Sequence, residues 1–99
     1  MTKKLTSEVL KTATFVSGLV GLANSDLTKA STELSKENWD KAILIEETNK
    51  GSKISIGIIV DSDVRTKIVA FEIHSSIKAL LKKNNIKLDK LNVYVRGVK

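Results

Sequence analysis

The chain has 99 residues, 41% hydrophobic and 28% charged, which supplies apolar side chains for one core and too little length for two independent domains. With no cysteine, a disulfide scaffold, a thiolate nucleophile and a thiolate zinc site are excluded. The formal charge of +6 arises from 17 basic and 11 acidic side chains, yet only Arg65 and Arg96 among the basic ones carry the guanidinium fork suited to phosphate and base edges, so the charge speaks to solubility before nucleic acid.

The uncharged run after Lys11 extends only from Thr12 to Ser25 and is broken by Thr, Ser, Gly and Asn. A bilayer span needs about 20 apolar residues, so no direct membrane span is expected and a cytoplasmic location is the default. Thr6 or Ser7 can cap a helix, with Glu8 in its first turn and Leu5 outside as a staple. Val9, Ala13, Val16, Val20 and Ala23 then fall on one stripe at 3.6 residues per turn, and Phe15, Leu19 and Leu22 on a second. A helix to Ala23 with two apolar faces needs two neighbours.

From Asn24 to Asn38 the pattern dissolves into polar residues, which predicts a mobile connecting segment within the single domain 1–99. Trp39 closes it as a satellite core residue. A hairpin follows, with strands Lys41 to Thr48 and Lys53 to Val60 around Asn49, Lys50, Gly51 and Ser52. Ile54, Ile56, Ile58 and Val60, with Ile43 and Ile45 opposite, share the core face; Leu44, Ser55, Gly57 and Ile59 share the other.

Asp61, Ser62 and Asp63 read as an N-terminal cap for a helix running to about Lys83. Its main stripe is Val69, Ile73, Ile77, Leu80 and Leu81, and Val64, Ile68 and Phe71 make a second apolar patch near its start. The chain closes with a strand from Leu91 to Arg96, in which Tyr94 and Arg96 face away from the core. The expectation is an α/β (α+β) two-layer fold of order α-β-β-α-β. It has a three-stranded sheet, two helices packed on one face, and the last strand parallel to Lys53 to Val60.

Reactive constellations are sparse. His74 is the single histidine, and Glu72, two residues away on a helix, points elsewhere. Asp61, Asp63 and Glu72 match three positions of a calcium loop, but Arg65 and Thr66 stand where an oxygen ligand and a glycine are needed. Gly18-Leu19-Val20-Gly21 spells the GxxG of an RNA-binding KH module, with two apolar residues where phosphate contacts would be. No cofactor, metal or catalytic residue is assigned, and an enzyme is not expected.

The stretch from Ile54 to Lys99 resembles the C-terminal half of the alkaline-shock protein family, envelope-stress proteins of low-GC Gram-positive bacteria. The closing Leu91, Asn92, Val93, Tyr94, Val95, Arg96, Gly97, Val98 is similar to the family's Val-Asn-Val-x-Val-x-Gly-Val, and Leu5-Thr6-Ser7-Glu8-Val9-Leu10 to its opening. The resemblance implies a small α/β domain without assigned catalytic residues, which in some members gathers at the membrane through a membrane-anchored protein partner.

Two functions follow. The first is a homo-oligomeric scaffold or interaction protein using Phe15, Leu19, Leu22, Val64, Ile68, Phe71, Tyr94 and Arg96. The alternative is a KH-like RNA-binding module on the open sheet, with Tyr94 stacking and Lys53, Arg96 and Lys99 on phosphates.

Overall fold

The structure, a computed structural model, describes residues 2–30 and 32–99, without the side chains of Thr2 and Lys3. In chain order it contains helix α1 (Thr2–Thr14), strand β1 (Leu19–Ala23), a 3-10 helix (Lys36–Ala42), β2 (Ile43–Thr48), β3 (Gly51–Val60), helix α2 (Thr66–Lys83) and β4 (Leu88–Val98). The α+β class holds, and the sheet has one strand more than the periodicity implies.

β3 organises the sheet. Along one side it pairs with β4 in parallel, as expected of a strand, helix, strand crossover. Its other side is shared end to end: β2 pairs antiparallel with residues 51–56, and β1 pairs antiparallel with residues 57–60. β3 is buried on both faces from Ile54 to Val60. The helical layer covers one face, bringing Val9, Ala13, Val69, Ile73, Ile77 and Leu81 against Ile54, Ile56, Ile58 and Val60.

The first helix differs from expectation at both ends. It begins at Thr2, which places Leu5 against the core instead of outside the helix as a staple, with Thr6 and Ser7 inside it. It stops at Thr14, because a turn and Gly18 at φ +95° redirect the chain. A Cβ on Gly18 would stand 2.7 Å from the Val69 side chain and 2.9 Å from that of Val64, so this glycine also lets the turn lie against the start of α2. Residues 19–23 therefore form β1, with Leu22 opposite Ile58 on the core face. Over so short a run, an apolar pattern fits a helix and a strand equally.

The second helix opens at Thr66 and not at the aspartates. Asp61 uses its carboxylate on the Asp63 N–H at 2.9 Å, forming a local turn. The backbone around it is held by the sheet, since Asp61 N–H donates to the Gly18 carbonyl and Ser62 N–H to the Lys99 carbonyl. Those bonds tie residues 61 and 62 to the strand ends, and the helix begins beyond them.

The connection between β1 and the 3-10 helix is tied down at several points. Leu34 N–H donates to the Leu22 carbonyl at 2.8 Å, and a β-bridge joins Ala23 to Glu33. Trp39 packs against the core as a half-buried residue. The hairpin closes over Asn49 and Lys50, and β4 extends beyond the expected bounds at both ends.

Candidate interaction surfaces

On α2 the buried residues Val69, Ile73, Ile77 and Leu81 define the side toward the sheet. At about 100° per residue, Ile68 and Phe71 project from the opposite side. They are 51% and 70% exposed, and Val64, just before the helix, is 39% exposed. α1 runs antiparallel to α2: Gly18, beyond the end of α1, abuts Val64 and Val69, while Lys4 and Leu5 border the same groove as Asn84 and Ile86. Phe15, 81% exposed, thus lies at the same end of the helical layer as Val64, Ile68 and Phe71. Four large apolar side chains with no use in the core gather at this end.

Leu19 and Leu22 do not join them. Leu22 is fully buried beneath β1, and Leu19 is half-buried against the core. Their assignment to a partner-facing helical stripe is corrected by the strand geometry, which turns Leu22 inward.

The other face of the sheet is expected to be open, with Leu44, Ser55, Gly57, Ile59, Tyr94 and Arg96 on view, and Leu44 is indeed 47% exposed. Ser55 and Ile59 are instead buried, because the segment after β1 is drawn across this face. Arg96 holds it there. Its Nη1 donates to the carbonyls of Asn24 (2.7 Å) and Asp26 (2.9 Å), and its Nη2 to that of Lys29 (2.7 Å). These are charge-assisted bonds to three carbonyls that have no strand partner.

Gly57 makes the close approach possible. A Cβ there would stand 2.4 Å from the Ala23 carbonyl oxygen and 2.7 Å from that of Asn24. The residue spacing that permits this cover, an Arg at an irregularity in the β3–β4 register, has no local sequence signature. Tyr94, opposite Gly57 in the register, is half-buried. Of the cations the RNA alternative needs, Arg96 is committed to the segment's carbonyls and Lys99 pairs with Glu33.

The segment carries its own turns. Asp26 accepts from the Thr28 hydroxyl at 2.7 Å and from its N–H at 2.9 Å. These bonds, the hydroxyl first, hold the Asp26 carboxyl below its ordinary value, with lesser attraction from Lys29 and Arg96.

Among the described residues no group of three or more His, Asp or Glu side chains could hold a metal ion. A cavity of about 100 Å³ lies between β1 and Trp39, lined mainly by Leu19, Val20 and Leu22, with no titratable side chain around it. Among the described residues, no helix is long and apolar enough to cross a membrane.

The family model of alkaline-shock protein 23, described as having a cell envelope-related function, matches residues 3–99. No curated protein matches the chain. Among solved structures, a point variant of MamM-CTD is similar in fold, with a TM-score of 0.59 and 14% identity over 98% of each chain.

Proposed function

The chain belongs to the alkaline-shock protein 23 family, of cell envelope-related function, and from that premise we propose that it is a non-enzymatic interaction module that pairs with a second copy of itself. One observation carries this reading: Phe71 and Ile68 project from α2 directly away from the core, and Phe15 and Val64 lie at the same end of the helical layer. Large apolar side chains left in water at one end of a 99-residue domain favour association, since their burial contributes about 25 cal/mol per Å².

A second copy fits this patch. Half of it, Ile68 and Phe71, stands on the outward side of α2, and a two-fold axis through that side would set the same apolar groups against each other. The membrane-anchored protein partner implied by the family resemblance would then meet an assembled module.

Sedimentation velocity over micromolar concentrations tests the reading. The expected result is a dimer or larger species for the natural chain and a monomer for Phe71→Ser, with unchanged far-ultraviolet circular dichroism. A natural chain that sediments as a monomer throughout, or a Phe71→Ser variant that assembles equally well, would overturn it.

A further inference from the structure

The same helical layer changes character toward its other end. Beyond Phe71 the outward side of α2 continues with Ser75, Lys78 and Lys82. On α1 the outward side, opposite buried Val9 and Ala13, carries Lys4 and Lys11. Lys83 joins them in the groove between the helices, where it lines one depression with Glu8, Lys11, Thr12, Leu80 and Asn84. A neighbouring depression is bordered by Lys4, Leu5, Glu8, Asn84 and Ile86, and a third by Lys78, Leu81, Lys82, Ile86 and Leu88. The second shares Glu8 and Asn84 with the first and Ile86 with the third, so these five lysines border one continuous run of depressions around the last turn of α2.

All five lysines are exposed, and Glu8 is the single carboxylate among them. Among the described residues the one ion pair joins Lys99 to Glu33, so none of the five is neutralised by a salt bridge. At the adjoining end of the sheet, the Glu47 carboxylate accepts from the Ser52 hydroxyl, and that of Asp89 from the Thr48 hydroxyl. The helix macrodipole accounts for Lys11, Lys82 and Lys83, which lie in last turns, but not for Lys4 or Lys78.

We infer that this lysine-rich end is a docking surface for an anionic lipid bilayer, recognised through headgroup phosphates. Lysine ammonium groups on flexible stems suit a laterally mobile array of phosphates, which demands charge density and not the fixed fork of arginine. The half-buried Leu5 and Ile86 place apolar surface beside the charges, as expected of a face that rests at the headgroup boundary. Base-stacking aromatics are lacking here, since Phe15 and Phe71 belong to the other end of the layer and Tyr94 and Trp39 to the sheet and the 3-10 helix, which favours lipid over nucleic acid. The inference goes beyond the self-association reading and uses different residues.

Vesicle co-sedimentation of the full chain tests it, with phosphatidylcholine alone against phosphatidylcholine containing phosphatidylglycerol. Binding is expected only to the anionic vesicles and should weaken as salt rises. Each lysine near the surface contributes about fivefold, so Lys78→Gln with Lys82→Gln should weaken partitioning about 25-fold. The equal charge change Lys36→Gln with Lys41→Gln, in the 3-10 helix, should leave it nearly unchanged.

Equal binding to neutral vesicles, equal loss in the two double variants, or salt-sensitive binding of a single-stranded oligonucleotide without vesicle binding would each overturn the inference. Sedimentation velocity on the Lys78→Gln, Lys82→Gln variant separates the two claims. Assembly should persist while vesicle binding falls, and Phe71→Ser should disturb assembly first.

Discussion

Arg96 shows how much one side chain can decide. Its guanidinium gathers three carbonyls from a segment about 70 residues earlier in the chain and so closes a sheet face that would otherwise lie open. Arg96→Ala should cost about 2 kcal/mol in denaturant unfolding, from the lost charge-assisted bonds, and should raise amide exchange in residues 24–30 and in β3 near Gly57. Lysine should not rescue it, because a single ammonium cannot span the three acceptors. Asp26 adds a pH dependence to the same segment. Its carboxyl is lowered on folding, so its contribution is present above its ordinary value of 3.8 and is lost as pH falls through the lowered folded value. Intrinsic-rate-corrected exchange at Thr28 should therefore be steady near neutrality and rise on acidification below about pH 4, and Asp26→Asn should flatten that response.

At the scale of elements, β1 and α2 separate two meanings of an apolar side chain. Leu22 and Phe71 each belong to a stripe in the sequence, yet one is sealed beneath a strand and the other stands in water. Leu22→Ala should destabilise the fold by about 2–5 kcal/mol in urea unfolding through lost burial and a residual cavity, whereas Phe71→Ser should alter assembly with little loss of stability. A small effect at Leu22 would contradict its place opposite Ile58 in the core. The hairpin, the long second helix and the closing strand were readable because each is supported by a sustained period and by turn residues at its ends. β1 was not, since five residues after a glycine-bearing turn satisfy either period.

The whole molecule is polarised along its helical layer, apolar at the end where α2 begins and basic at the end where it finishes. The contributions of Phe15 and Phe71 to this polarity were visible as apolar residues surplus to one stripe, while the clustering of Lys4, Lys11, Lys78, Lys82 and Lys83 required the antiparallel pairing of two helices far apart in sequence.

By itself, the sequence determined the α+β class, the parallel closing strand and the family resemblance, because these depend on composition and on local hydrophobic period. Tertiary structure decided where the first helix stops, which face of the sheet is covered and which lysines stand together. Those outcomes depend on contacts between distant segments, such as Gly57 beneath the Ala23 and Asn24 carbonyls and Arg96 among those of Asn24, Asp26 and Lys29, and no local pattern encodes a meeting of that kind.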